Sequence, residues 1–427
     1  MGSITVRPGS PLAGTVTVGG AKNSVLKLMA ATLLAEGEYE LTNVPGIVDV
    51  ELMRELLAPL GIRSERASDD PRTLRLTSPP EVGWVAPPDV VRRMRASTAV
   101  LGPLLARCGR ARLALPGGDD FGSRPIDFHV AGLEALGARF TIRDDELEAV
   151  ADDGLRAADI VLGFPSVGAT ENLVMAATLA KGTTTLDNAA REPEIVDLCH
   201  FLIAMGAQIE GVGSPMLVVH GSPPGELHGA THRVVADRVE AATYLAAVGV
   251  AGGEIVVREA RADHMEVLLR KLRSMGLTVA AAPDGEGLRA SAPVEGARLC
   301  STDVATLPYP GVATDYKPLI TAMLSVGDGV GIVTENLFAG RFRYVDELLR
   351  MGADIRTDAH HAVVRGVPHL TGTSVEAPDI RAGAALVVAA LAAQGETVIE
   401  GVHHVDRGYE DLVGKLRILG ADILRSD

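Results

Sequence analysis

The chain has 427 residues, is 47 % apolar and only 3 % aromatic, and carries a net charge of −15. That length supplies two to three domains' worth of core, built from Ala, Val and Leu rather than from rings. The acidic balance excludes a general nucleic-acid binder and leaves room for a small anionic ligand held by local cations. Cys108, Cys199 and Cys300 stand far apart without C-x-x-C spacing, the pattern of a reducing cytoplasm rather than of structural zinc. Met1 to Val6 lacks a basic segment leading into an apolar run, so no export signal is expected. No stretch reaches the roughly 18 apolar residues of a membrane span.

In chain order, short strands are expected at 4–6 and 15–18, able to pair with either half of the molecule. An Ala-rich helix over 24–36 then leads to a strand at 39–41. The same pair recurs as 169–180 with 183–186, 240–250 with 254–257, and 381–393 with 396–399. A second phrase recurs beside it: an amphipathic helix ending in Leu or Met, then Gly, then a β-type run. Its instances are Leu60-Gly61, Leu136-Gly137, Met205-Gly206, Met275-Gly276, Met351-Gly352 and Leu419-Gly420. The period is about seventy residues, longer than the usual solenoid repeat of about 20–50. Each glycine is the left-handed stop of a helix. Six α/β units of this size predict two domains of three units, with a hinge near the turn-rich passage 223–229 and a ligand in a cleft between the halves.

The starts of the units' first helices carry charge. Asp237, Asp315 and Asp379 are placed as ordinary N-caps would be. Lys22, Arg95 and Arg381 are placed where a cation opposes the helix dipole, which suggests that each is held there to meet an anion. Arg341 and Arg407 lie in loops before a unit's second helix, and Arg124 occupies the same place in its own unit. Arg124 belongs to Leu115-Pro116-Gly117-Gly118-Asp119-Asp120-Phe121-Gly122-Ser123-Arg124-Pro125, too glycine-rich for a helix or strand interior. It reads either as an exposed turn or as a lid carrying an acid, Asp119, and an anion-binding fork. Six cations converging on one cleft would suit a ligand bearing phosphate and carboxylate; six unrelated solvated cations are the alternative. Phosphate-loop and dinucleotide fingerprints are absent from the sequence. The pairs His360-His361 and His403-His404 have no further ligand at metal spacing, so no metal is expected.

Gly20-Ala21-Lys22-Asn23-Ser24, the lid segment, Ser166-Val167-Gly168-Ala169-Thr170, Asn188-Ala189-Ala190-Arg191-Glu192-Pro193-Glu194 and Asp406-Arg407-Gly408-Tyr409 follow one another in an order met elsewhere. Together they resemble the UDP-N-acetylglucosamine 1-carboxyvinyltransferase family, in its actinobacterial form, over essentially the whole chain. The resemblance implies a two-domain, inside-out α/β barrel shared with the shikimate enolpyruvyl transferases, with six βαβαββ repeats, three per domain. It implies one discontinuous domain of residues 1–21 and 230–427, and a second of 22–229 that carries the lid at about 115–125. It also implies a cytoplasmic enzyme without cofactor or metal, acting on phosphoenolpyruvate and UDP-N-acetylglucosamine, with no nucleic acid or membrane as partner; oligomeric state is not implied.

Residue by residue, the resemblance makes Asp119, where many members have Cys, the proton donor to the methylene carbon of phosphoenolpyruvate. Lys22, Arg124 and Arg407 would hold the phosphate, and Arg341 and Arg381 with Arg407 the carboxylate, with Asn23 beside them. Asn23, Arg95, Arg124, Pro125, Ile126, Asp127, Phe128, Phe164, Pro165, Ser166, Val167, Gly168, Asp315 and Leu337 would line the UDP-sugar site, and Asp315 would accept the proton of the attacking hydroxyl. The stretch Val312-Ala313-Thr314-Asp315-Tyr316-Lys317 departs from the family, which usually has Phe-Pro before Thr-Asp and Gln at the last place; Ala339 stands where an acid is common. Lys317, two residues from Asp315, is expected to lower its pKa. These departures touch the acceptor side and leave open an enolpyruvyl transferase for another nucleotide or nucleoside in secondary metabolism.

Overall fold

A computed structural model of the chain describes residues 2–426 apart from 118–124, 224, 295 and 339. The glycines that close the repeated phrase, Gly61, Gly137, Gly206, Gly276, Gly352 and Gly420, all adopt left-handed backbone with φ between 87° and 105°. That conformation is open to glycine at little steric cost, which is why the same residue ends each outer helix. The described residues divide into two units, residues 2–19 with 236–426 and residues 20–117 with 125–235.

In the first unit three helices form the centre: α4 (Arg238–Ala251), α5 (Lys317–Ser325) and α6 (Ile380–Leu391). All of α5 is buried, and so is α6 from Ile380 to Ala390. A helix covered on every side cannot be amphipathic, and α4 and α6 are alanine-rich instead. Small side chains let the backbones approach: a Cβ on Gly249 of α4 would meet Met323 Cε of α5 at 2.9 Å. The outer helix Glu266–Ser274 behaves differently, burying Leu268, Leu269 and Leu272 while Arg270 and Arg273 face water.

Sheets lie outside the central helices. Gly253–Arg258, which follows α4, pairs parallel with Leu12–Thr17 and antiparallel with Gly287–Ser291. Val330–Thr334 after α5 pairs parallel with Val304–Ala305 and antiparallel with His361–Arg365. Thr397–Glu400 after α6 pairs parallel with Ser374–Glu376 and antiparallel with Ser3–Val6, which in turn pairs with Ile423–Ser426. The sheet of Val304–Ala305, Val330–Thr334 and His361–Arg365 is a βαβ crossover plus a hairpin, as a repeated βαβαββ unit dictates, while in the other two a strand from residues 3–17 takes one of the places. The outward faces keep apolar residues such as the cross-strand partners Ile332 and Val363, each about 40 % exposed.

The second unit repeats the plan around α1 (Lys22–Ala31), α2 (Leu101–Cys108, entered by the 3-10 turn Arg95–Val100) and α3 (Val167–Ala177). Here Gly37–Thr42, after α1, takes Thr231–Arg233 as its parallel neighbour, and Thr183–Asp187 takes Asp159–Val161. The chain thus exchanges strands when it passes between units. Leu12–Thr17 precedes α1 in sequence but lies beside the strand that follows α4, and Thr231–Arg233 precedes α4 but lies beside the strand that follows α1. Both N-terminal strands, free to pair with either half in sequence terms, are in the first unit. No helix among the described residues is long and apolar enough to cross a membrane.

Candidate active site

In the second unit, Lys22 is the first residue of α1, and its ammonium lies 3.0 Å from Asp49 Oδ2. Asp49 is buried in the first turn of the helix Val48–Leu57, where the dipole favours a carboxylate. The anion that meets Lys22 in this structure is therefore a protein group. Asn23 follows, and its carbonyl accepts a bond of 2.9 Å from Lys27, whose ammonium also lies 3.1 Å from the buried Glu171. Burial pushes the Glu171 carboxyl up to about 7.

Arg95 opens the 3-10 turn that enters α2, and its two terminal nitrogens lie 3.5 Å from Pro116 O and Pro125 O. One guanidinium thus reaches both flanks of the segment that carries Asp119 and Arg124. Those two residues lie outside the described residues, as does Ala339. Pro125 and Ile126 lead into the helix Asp127–Ala135, whose first turn holds Asp127 and Phe128. Ser166 caps α3 by accepting from Ala169 N at 3.4 Å. Phe164 is 39 % exposed just before it. The two segments meet: a Cβ on Gly168 would be 3.1 Å from the His129 ring, and one on Gly163 would be 3.6 Å from Phe128. Residues 125–128 and 164–168 are therefore brought together, with an exposed aromatic ring beside a helix N-terminus. Underneath, His129 Nδ1 meets Asn172 Nδ2 at 3.1 Å, and Asn172 Oδ1 accepts Gly102 N at 2.7 Å. Burial, with Arg95 acting in the same direction, pushes the His129 imidazole down to about 4, so the ring is neutral at pH 7.

In the first unit, Asp315 lies in the 3-10 turn Thr314–Tyr316 that enters α5. It is not a helix cap, unlike Asp237 and Asp379, each of which accepts two backbone amides. Two arginines hold it instead: Arg341 Nη1 is 2.9 Å from Oδ1 and Arg381 Nε is 3.2 Å from Oδ2. Both guanidiniums are almost fully buried, while Asp315 keeps 22 % of its side chain exposed. Arg381 stacks 5.4 Å from the Tyr409 ring. Burial opposes its charge, but Tyr409, Asp315 and Asp237 outweigh burial and raise its pKa. Its buried Nη1 finds no acceptor in hydrogen-bond geometry among the described residues. A buried guanidinium with a donor to spare is suited to a further carboxylate. Arg407 is half-buried directly after the short helix His403–Asp406.

Lys317 does not bond to Asp315. It points the other way, to Glu335 Oε2 at 2.9 Å and to the Arg341 carbonyl, with its ammonium 4.0 Å from the centre of the Phe342 ring. Both members of this pair are fully buried. Glu335 also accepts from Thr306 and Thr314 hydroxyls, each at 2.7 Å, and from Leu337 N at 2.8 Å and Phe338 N at 3.1 Å. Leu337 is thus fixed through its backbone. Asp49, His129, Asn172 and Glu335 were not marked by sequence reasoning, and Tyr409 only as part of a motif. Glu335 alone had a local signal, as an acid directly after an apolar strand and before the loop of Leu337 and Arg341.

Residues 6–416 match the family of EPSP synthase (3-phosphoshikimate 1-carboxyvinyltransferase). Over 420 residues the chain is 51 % identical to a UDP-N-acetylglucosamine 1-carboxyvinyltransferase of Mycolicibacterium paratuberculosis, covering 98 % of each protein. The chain belongs to the UDP-N-acetylglucosamine 1-carboxyvinyltransferase family. A relative of the same name from Gluconobacter oxydans is 48 % identical over 426 residues, covering 100 % of this chain and 99 % of its own. Among solved structures, the enolpyruvyl transferase NikO from Streptomyces tendae superposes with a TM-score of 0.88 at 25 % identity, over 100 % of this chain and 99 % of NikO. An EPSP synthase from Acinetobacter baumannii, at 17 % identity and a TM-score of 0.75 over all of both chains, shares the fold. The two-unit inside-out α/β architecture is that of the enolpyruvyl transferases.

Proposed function

We infer that the protein transfers the enolpyruvyl group of phosphoenolpyruvate to the 3′-hydroxyl of UDP-N-acetylglucosamine and releases phosphate, the first committed step of peptidoglycan synthesis, in the cytoplasm. The observation that carries this reading is identity of about half the residues, over nearly the full length of both proteins, with enzymes of that name. The position of Asp315 supports it, since a carboxylate oriented by two buried arginines and still partly open to solvent is suited to a general base.

In this reading Asp119 gives a proton to the methylene carbon of phosphoenolpyruvate, and C2 becomes cationic. The sugar hydroxyl adds to C2 while Asp315 takes its proton. Loss of a proton from the new methyl group, with departure of phosphate, leaves the enol ether. Lys22, Arg124 and Arg407 hold the phosphate, and Arg341 and Arg381 hold the carboxylate, for which the spare Nη1 of Arg381 supplies a donor. The UDP-sugar is held by Asn23, Arg95, residues 124–128 and 164–168, and Leu337. Lys22 would then trade Asp49 for the substrate phosphate.

Phosphate release in the presence of phosphoenolpyruvate and UDP-N-acetylglucosamine, UMP or shikimate 3-phosphate tests the acceptor. Only the first should support turnover, and turnover with either of the others alone would refute the reading. Lys22→Ala should lower kcat by at least about 100-fold, as loss of a charge-assisted contact to the reacting group does. Unchanged turnover in that variant would remove Lys22 from the site.

A further inference from the structure

Thr314 joins two carboxylates. Its hydroxyl donates to Glu335 Oε2 at 2.7 Å and accepts from Arg341 Nη1 at 2.9 Å. The same Arg341 nitrogen holds Asp315 Oδ1. One hydroxyl therefore separates the guanidinium on the proposed base from a second carboxylate that is wholly buried. A buried carboxylate needs a cation, and two are within reach of Glu335: the Lys317 ammonium, already bonded to it, and Arg341. Lys317 also donates to the Arg341 carbonyl, which fixes the backbone from which Arg341 reaches Asp315.

We propose that Lys317 is a positioning residue, which by satisfying Glu335 keeps the Arg341 guanidinium on Asp315. The inference rests on Asp315 as the base of the proposed reaction. Among the described residues, the charged and titratable groups around the pair include Arg341, Asp379 and Tyr344, and those around Asp315 include Arg341 and Arg381, with Asp237 beyond Arg381. Burial, only partly offset by Glu335, lowers the Lys317 pKa to about 8, so at pH 7 the ammonium form still prevails.

Without Lys317, Glu335 draws Arg341 across the Thr314 hydroxyl, and Asp315 loses a cation. A base with one cation fewer must be ionised at higher pH. The test is the pH dependence of kcat/KM for UDP-N-acetylglucosamine in wild type, Lys317→Met and the double variant Lys317→Met/Glu335→Gln. In Lys317→Met the acidic limb should move up by about one pH unit, a loss of about tenfold below it. In the double variant, where no carboxylate competes for Arg341, the limb should return to its wild-type position. A purely structural role would lower the folded fraction and leave the limb in place. Should Lys317→Met not fold, Lys317→Gln replaces it, with a shift of about half a unit expected in the same direction. A limb that does not move in the single variant, or that stays displaced in the double, overturns the role of Lys317. A wild type inactive on UDP-N-acetylglucosamine would instead overturn the proposed function itself.

Discussion

Asp315 has both carboxylate oxygens on arginines, Oδ1 on Arg341 and Oδ2 on Arg381, and neither arginine is its neighbour in sequence. Contacts of this kind are the least legible part of a sequence. Lys22, Arg95, Arg341 and Arg381 could be singled out because a cation at the start of a helix, or in an equivalent loop of a repeat, invites a reason. Their protein partners could not, since Asp49 lies 27 positions after Lys22 on another helix and is one acid among many. The near neighbour Lys317 misled, because α5 begins between it and Asp315 and turns the two side chains to different partners.

Two outcomes belong to this scale. With Asp119 where many members have Cys, fosfomycin should form no adduct with the wild-type protein, while Asp119→Cys should be labelled at residue 119. Intact mass after incubation reads both, and an adduct on the wild-type lid would contradict the role given to Asp119. His129 makes a prediction about stability. Its folded pKa of about 4 lies below the unfolded value of about 6.5, so the unfolded chain binds the extra proton first. The stabilisation from burying the neutral ring is complete above about pH 6.5 and is lost as pH falls towards 4, by about 3 kcal/mol. Glu171, pushed up to about 7, works in the opposite direction over much of that range, so the wild-type curve alone hides both. Urea unfolding should show His129→Gln gaining on the wild type as pH drops from about 6.5 to 4. A constant difference would place the ring in a less buried setting.

At the scale of elements, the repeat was readable because its punctuation is chemical. Left-handed glycines and alanine-rich runs follow from backbone and packing needs that do not depend on distant partners. The ends were less sharp: the helix expected over 24–36 is α1, Lys22–Ala31, continued by the 3-10 turn Thr32–Leu34. Glycine has two distinct uses here, and substitution separates them. Gly137 has φ of 97° and open space around its missing Cβ, so Gly137→Ala should cost about 1 kcal/mol through backbone strain alone. Gly383 lies inside α6, where a Cβ would meet Val405 Cγ2 at 2.6 Å and Ala377 Cβ at 3.1 Å. Alanine there gains about 1 kcal/mol of helix propensity, but overpacking should cost about 1–3 kcal/mol. Thermal unfolding is expected to show Gly383→Ala no more stable than wild type. A higher melting temperature would mean that the centre is looser than its contacts indicate.

For the whole molecule, the exchange of strands between units was beyond local reading. Ser3–Val6 pairs with Thr397–Glu400 nearly 400 positions later, and only the complete sheet decides that pairing. The first unit is built from two stretches, 2–19 and 236–426, that the whole of the second unit separates in sequence. The net charge of −15 is no obstacle to anionic substrates when Lys22, Arg341 and Arg381 are half-buried or buried and bonded to carboxylates. The central claim is that this charge arrangement serves transfer of an enolpyruvyl group to the 3′-oxygen of UDP-N-acetylglucosamine. Its most direct test is to incubate the protein with both substrates, isolate the nucleotide sugar and determine the site of attachment by NMR. The account predicts an enol ether on the sugar C3′ oxygen, formed together with an equal amount of phosphate. Attachment at any other hydroxyl, or phosphate released while the sugar nucleotide is recovered unchanged, would contradict it.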